Sequence, residues 1–291
     1  MRKCAVIGSK GYIGKHLVFY LKKLGWKVEG YDVFECQEEG YTQCNLTQKE
    51  EIQKINLNVD YVFMFAGLTG TYVGFDKYET YVNVNEIGLL NLLNAIRVSD
   101  YRPKIIFPST RLVYKGQEKA LKEEDEKETK TIYAVNKLAC EGILYAYANS
   151  FDLPFTIFRI CVPFGNMLAK DYSFGTIGFM IRQARDKKKI TLYGDGCINR
   201  TFTSMKDLCE QVVKVSIMPE SNGEIYNVGG HIHSLKEAAD VVSAQYGAEV
   251  AFIPYPENDL RIESGSTYFD TQKIESLSGK TQYDDIINLF D

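Results

Sequence analysis

The chain contains no apolar run that approaches the roughly 20 residues needed to span a bilayer. Met1 is followed within two residues by a strand-like run, which leaves no room for a signal peptide. Positive charge is not in excess either. The formal net charge is −4 and the pI is near 5.6, so there is no basic field for nucleic acid or an anionic membrane. No CxxC pair occurs among the seven cysteines, Cys4, Cys36, Cys44, Cys140, Cys161, Cys197 and Cys209. Scattered thiols of odd number favour a reducing cytosol over disulfides or zinc. Histidine is scarce as well, and His231 and His233 lack the third ligand that a metal site requires. The expectation is a cytoplasmic protein with no metal, membrane or nucleic-acid partner. At 291 residues it forms one large domain or two interleaved ones, with a core that needs no staples.

Glycine, by contrast, is placed with a pattern. Lys3 to Ile7 is a short apolar run of strand length, followed by Gly8-Ser9-Lys10-Gly11-Tyr12-Ile13-Gly14 and an amphipathic stretch from Tyr12 to Leu24. Strand, glycine turn and helix in that order make a phosphate cradle. The glycines let the backbone turn tightly against a pyrophosphate, while the helix N-terminus supplies N–H groups and a positive dipole. A second run, Lys27 to Tyr31, ends in Asp32, close to the spacing of about 20 residues at which an acid accepts the adenosine ribose hydroxyls. Val33, Phe34 and Glu35 offer no Arg or Lys to a 2′-phosphate, which points to NAD rather than NADP.

The chemistry sits further along. Lys104 to Phe107 reads as a buried strand that delivers Pro108-Ser109-Thr110 to its C-terminal end, where the catalytic groups of open α/β sheets belong. Downstream, Tyr133 and Lys137 are four apart on one helix and face each other across a turn. An ammonium beside a phenol favours the phenolate and draws its pKa down from about 10. Tyr133 then becomes a general acid/base, and the Thr110 hydroxyl holds the oxygen whose proton moves. This trio suits oxidation of an alcohol or reduction of a ketone.

Glycine pattern, Asp32, Thr110 and Tyr133-x-x-x-Lys137, in that order, resemble the extended short-chain dehydrogenases/reductases of the nucleotide-sugar epimerase/dehydratase family, over nearly the whole chain. The resemblance implies an α/β fold: a Rossmann doubly wound parallel sheet with a smaller, interleaved C-terminal α/β substrate domain. It places an NAD-binding domain at 1–165, with return segments near 200–230, and a nucleotide-sugar-binding domain at 166–291. Gly8, Gly11, Tyr12, Ile13, Gly14 and Asp32 would bind NAD. Asn45-Leu46 falls where the family has an acid-apolar pair on the adenine. The strand Tyr61 to Phe65 ends in Ala66-Gly67-Leu68, like the loop that passes under the cofactor; Phe65, Ala66 and Gly67 join the cofactor set and Leu68 the substrate set. Thr69 stands where some epimerases carry a lysine. Asn85, three before Gly88, matches N-x-x-G and would face the cofactor, while Lys137 would also bond the nicotinamide ribose. Thr110 and its neighbour Arg111 are assigned to the substrate, and Val113-Tyr114 completes S/T-x-x-V-Y. Val162 occupies a place usually held by Asn. Arg200, in a segment like "lyGdG..Rdf", and Arg261 match arginines that reach the diphosphate of the substrate, for which a guanidinium fork is suited.

Several local expectations accompany this reading. A helix from Thr47 to Ile55 would open with a Thr47/Glu50 capping box. The stretch Tyr81 to Val98 carries a helical apolar stripe, and the charge-dense Glu118 to Lys130 reads as a solvated loop. The Tyr133 to Ser150 helix would bury Ala134, Leu138, Ile143 or Leu144, Tyr145 and Ala148. With the Tyr81 to Val98 helix it either forms the four-helix interface of a homodimer, as in the family, or packs on its own sheet. Ser173-Phe174-Gly175-Thr176 precedes a helix from Ile177 to Arg185, another runs from Asp207 to Ile217, and Ser234 caps a third, Leu235 to Tyr246.

The leading functional expectation is an NAD-dependent epimerase of a nucleotide-diphosphate sugar, acting at C4 through a transient ketone. A 4-ketoreductase or 4-dehydrogenase needs the same trio and stands as the alternative. Dehydratases of this family follow the catalytic Thr with Asp-Glu; here Arg111-Leu112 follows, which disfavours 4,6-dehydration and decarboxylation alike. A non-catalytic binder on this fold would have lost Tyr133 or Lys137, and both are present.

Overall fold

The strand β1 (Lys3–Ile7) is apolar at four consecutive positions because it has a parallel neighbour on each side and a covered face above and below. In the computed structural model, which describes residues 1–168 and 174–290, it lies in the first of two compact units. That unit comprises Met1–Val113, Thr131–Arg159 and Val213–Tyr226; the second comprises Tyr114–Lys130, Ile160–Val212 and Asn227–Asp291.

In the first unit β1 leads into α1 (Tyr12–Lys23), followed by β2 (Lys27–Asp32), β3 (Tyr41–Gln43), β4 (Tyr61–Met64), β5 (Lys104–Thr110) and β6 (Phe155–Ile160). The seven-stranded sheet runs Glu224–Asn227, β6, β5, β4, β1, β2, β3. This is the doubly wound order, and it reverses between β1 and β4. Ligands of such sheets bind at that reversal, outside the C-terminal strand ends. The glycine turn follows β1 and Ala66-Gly67-Leu68 follows β4, so the topology alone puts both loops at the reversal. Ala5, Ile7, Val62, Met64, Ile105 and Phe107 fill the core on one face together with Leu89, Leu92, Leu93 and Ile96.

Three local expectations are corrected in this unit. The segment after Asn45 forms a 3-10 helix, Lys49–Lys54, with no side-chain cap. Asn45 Oδ1 takes the Thr47 N–H and hydroxyl, and the Glu51 carboxylate takes the Asn45 N–H, so this Asx arrangement displaces the Thr47/Glu50 box. The Tyr81 to Val98 stretch is helical but interrupted: Tyr78–Val82 is α, Asn83–Ile87 is a π turn and Gly88–Val98 is α again. Such π turns are rare and gather at functional sites. The third correction concerns the helix Ile132–Phe151, which Thr131 caps by accepting the Ala134 N–H at 3.1 Å. Its buried residues are Tyr133, Ala134, Asn136, Lys137, Cys140, Glu141 and Leu144: Ala134 and Leu144 are buried as expected, but they share the face with polar groups, and Tyr145 is exposed.

In the second unit His231–Ser234 pairs antiparallel with Asn199–Ser204, which pairs parallel with Val162–Phe164. A two-stranded sheet joins Ile190–Tyr193 to Val250–Ile253. The helices Gly175–Arg185 and Leu235–Tyr246 close a core with Ile177, Ile181, Ile190, Phe202 and Val242. Ser234 and Glu237 form a full capping box on the latter. Ser173 lies outside the described residues. The charged segment before the Tyr133 helix is not merely solvated: Leu121 is fully buried, its N–H bonds Tyr268 O, and its carbonyl takes the Asp270 N–H. Apolar burial of one residue anchors the segment despite its charge. His231 Nε2 lies 3.0 Å from Tyr283 O and His233 Nε2 2.7 Å from Asp285 Oδ1, so both rings tie down the tail. Among the described residues no cluster could hold a metal ion and no helix is long and apolar enough to cross a membrane.

Candidate active site

Two glycines of the turn are fixed by backbone packing. Gly8 has φ +84°, and a Cβ there would stand 2.4 Å from Ala66 N; one on Gly14 would stand 2.0 Å from Gly8 O. The chain can therefore close the β1 turn against the β4 loop only with glycine at both positions. Gly11 is different. A Cβ on it would meet only Gly8 O, at 3.2 Å, and Gly11 begins α1 with no side chain capping the helix. The first turn of α1, Tyr12 to Gly14, is a helix N-terminus of the kind that receives anions. Asp32, half-buried at the end of β2, accepts the Lys10 N–H on Oδ2 and the Val33 N–H on Oδ1, both at 2.8 Å. Carboxylate oxygens carry further lone pairs, so ribose hydroxyls can still be received. An open helix end, a glycine-lined approach and an acid beside it fit NAD.

The other cofactor candidates divide. Phe65 N–H bonds Ile7 O at 2.8 Å, which draws the β4 loop, with Ala66 and Gly67, against the glycine turn. Leu46 instead packs into the core, and Asn45 uses its carbonyl oxygen on Thr47. Asn85, in the π turn and 3 % exposed, clamps the loop: Oδ1 accepts the Leu68 N–H at 2.8 Å and Nδ2 donates to Leu68 O at 3.1 Å. A Cβ on Gly67 would lie 3.0 Å from Asn85 Oδ1 and 3.8 Å from Lys137 Nζ. Asn85 therefore shapes the floor on which the cofactor candidates lie.

Thr110, Tyr133 and Lys137 come together at the end of β5, with exposures of 7 %, 8 % and 5 %. Burial pushes the Tyr133 phenol above its ordinary value; a hydrogen bond with Thr110 and the charge of Arg111 pull the other way. The expected pull from Lys137 is not what the geometry provides. Its Nζ donates to Pro108 O at 2.7 Å, lies 4.4 Å from the Phe107 ring centroid and 6.0 Å from that of Tyr133. Burial also lowers the Lys137 pKa to about 8. Low-dielectric surroundings disfavour both charges.

Sequence reasoning missed the residues behind this trio. Glu141, one turn beyond Lys137, accepts Ser109 Oγ at 2.5 Å and Arg159 Nε at 3.0 Å on Oε1, and Arg159 Nη2 at 2.6 Å on Oε2. A signal was available: Arg159 closes an apolar strand run, and a cation there must find an acid.

The substrate candidates Leu68, Thr110 and Arg111 belong to the first unit, and Val162, Arg200 and Arg261 to the second. Arg200 is 1 % exposed. Its guanidinium donates to Asn199 O, Gly265 O and the Glu263 carboxylate, so it is a structural tie within its own unit rather than an open fork. Val162 is buried in its strand. Arg261 is exposed and pairs with Glu257 one turn away. Cys161 donates to Thr267 O at 3.3 Å, an ordinary packing contact.

The sequence profile described as the NAD dependent epimerase/dehydratase family matches residues 4–229. The UDP-N-acetyl-alpha-D-glucosaminuronate decarboxylase of Bacillus cytotoxicus is 27% identical over 274 residues, covering 87% of this chain and 84% of its own. The UDP-glucuronate 4-epimerase of Thermodesulfobacterium geofontis is 24% identical over 296 residues, covering 94% and 88%. Among solved structures, UDP-glucuronic acid 4-epimerase from Bacillus cereus in complex with UDP-glucuronic acid and NAD aligns with a TM-score of 0.82 at 23% identity, covering 98% of this chain and 96% of that one. That likeness is one of fold.

Proposed function

The chain belongs to the NAD dependent epimerase/dehydratase family, and from that premise we propose that it epimerises a nucleotide-diphosphate sugar at C4. The observation that carries the reading is the convergence of Thr110, Tyr133 and Lys137 beside the β4 loop, at the reversal point that also holds the glycine cradle. NAD supplies the hydride acceptor, and later the donor, when it is bound there. Tyr133 takes the proton of the C4 hydroxyl and returns it to the same oxygen after the sugar has presented its other face. Thr110 hydrogen-bonds that oxygen, and Arg111 adds a positive charge that favours the phenolate. Lys137, within reach of Gly67 on the β4 loop, is suited to the nicotinamide ribose. Oriented, desolvated contacts of this kind provide much of an enzyme's rate enhancement.

Elimination of water or loss of CO2 calls for a free acid beside Thr110. Arg111 and Leu112 follow it instead, and the buried carboxylate of Glu141 is committed to Ser109 and Arg159. On the same reading the first unit binds NAD and residues of the second, Arg261 among them, contact the sugar nucleotide. Exposed Ile87, Val98, Val135, Tyr145 and Phe151 support a homodimer through their helices, and seven free cysteines support a cytoplasmic location.

The test is incubation with UDP-glucuronate or UDP-glucose and no added cofactor, with products resolved by chromatography and NMR. Interconversion of the C4 epimers is expected. Release of CO2, or turnover that requires a stoichiometric nicotinamide, would replace the epimerase with a decarboxylase or a ketoreductase.

A further inference from the structure

We propose that Ser109, Glu141 and Arg159 form a positioning unit that holds the end of β5 in register with the helix bearing Tyr133 and Lys137. The three groups lie outside the chemistry and yet flank it on both sides. Ser109 stands between Pro108, whose carbonyl receives Lys137 Nζ at 2.7 Å, and Thr110, which hydrogen-bonds the Tyr133 phenol. Glu141 is on the helical face of Tyr133 and Lys137, one turn further on. A single carboxylate thus joins β5 through Ser109, β6 through both Arg159 nitrogens, and the helix through its own backbone.

The electrostatics explain why this tie can be strict. Glu141 and Arg159 are 3 % and 2 % exposed, and a buried pair resists any movement that would leave one charge uncompensated. Bidentate geometry fixes direction as well as distance. A sliding of the helix along β5 would break the Ser109 bond and the Lys137–Pro108 bond together, because both reach the same short strand segment. The arrangement therefore sets where the Tyr133 oxygen stands relative to Thr110. Around that oxygen the other titratable or charged groups are Tyr81, Cys140 and Arg111; around Lys137 they are Cys140 and Glu141 itself. The inference rests on the proton-transfer role of Tyr133 given above.

The experiment compares wild type, Ser109→Ala, Ser109→Thr and Glu141→Gln as NAD-loaded proteins. Ser109→Ala leaves the ion pair intact and so keeps the fold. Turnover is measured on UDP-sugars, and the surroundings of the Tyr133 phenol are followed at fixed pH by NMR of [ζ-13C]tyrosine, its resonance assigned with Tyr133→Phe. Ser109→Ala is expected to lower kcat about tenfold with KM within about twofold, since small misplacements of reacting groups are costly. It is also expected to move the Tyr133 ζ-13C resonance at fixed pH, as the Thr110 contact loosens. Ser109→Thr, which keeps the hydroxyl, restores both. A purely structural role predicts a lower Tm for Glu141→Gln with kcat and the Tyr133 resonance unmoved in Ser109→Ala, and that result would overturn the proposal. If the wild type turns over no nucleotide sugar, the epimerase reading fails, while the Tyr133 resonance still decides the positioning role.

Discussion

The two units bury arginine for different ends. In the first, Arg159 meets Glu141, which also holds Ser109, immediately behind Thr110, Tyr133 and Lys137; in the second, Arg200 meets Glu263 and two carbonyls and holds its own unit together. Of the two, only Arg200 occupies a position that the family resemblance singles out for the substrate, yet both are buried on carboxylates, and the surroundings decide what each one does. A guanidinium on a long side chain can turn inward as readily as outward, so a matched arginine does not by itself mark a ligand. A glycine that lets two backbones touch has no such freedom.

The largest expected effect tests the first unit. Tyr133→Phe removes the proton acceptor without changing the packing of the ring, and should lower kcat by about 10²- to 10⁴-fold with far-UV CD and Tm unchanged. Near-normal turnover in that variant would remove the assignment. The second unit is tested next by Arg200→Ala. Loss of one partner from a pair that is only partly shielded on the Glu263 side should cost about 2–4 kcal/mol in urea unfolding. Retained stability with a raised KM would make Arg200 a substrate ligand and erase the contrast between the units.

The pH profile sharpens the account of the trio. Burial holds the Tyr133 phenol above its ordinary value, so Lys137 loses its proton first, at about 8. The fraction with phenolate and ammonium together grows with pH until that step and is then constant. Turnover should therefore rise with pH and level off near about 8. In Lys137→Met the rise should continue to higher pH, because burial alone sets the Tyr133 phenol above its ordinary value. An unshifted plateau in that variant would separate Lys137 from the titration.

The smallest effect belongs to Arg261→Ala. An exposed i,i+4 pair contributes little, so stability should change by less than about 0.5 kcal/mol. A diphosphate contact at this residue would raise the sugar-nucleotide KM by about tenfold. Unchanged KM would leave the second unit without an assigned phosphate ligand.

This ordering also tracks what could be read in advance. Gly8, Gly14 and the reversal between β1 and β4 were legible because backbone geometry tolerates few alternatives there. The Tyr133 and Lys137 spacing was legible for the same reason, since helix geometry dictates that they share a face. The polar stripe on the Tyr133 helix was not: an apolar face was the expectation, and Glu141 and Asn136 became interior only because Arg159 and Asn85 lie opposite them. The capping of the segment after Asn45 was likewise decided by competition among nearby side chains. Where partners come from distant parts of the chain, as for Arg200 and residues 263–265, sequence spacing carries no record of them.

The most direct test of the central claim is to purify the protein without added cofactor, denature it, and identify the nucleotide released. An enzyme that takes a hydride and returns it to the same sugar retains its cofactor through each turnover, so stoichiometric NAD is the predicted result. An empty site that fills with NADH or NADPH only when these are supplied, and empties again with each turnover, would contradict the epimerase and establish a reductase or dehydrogenase in its place.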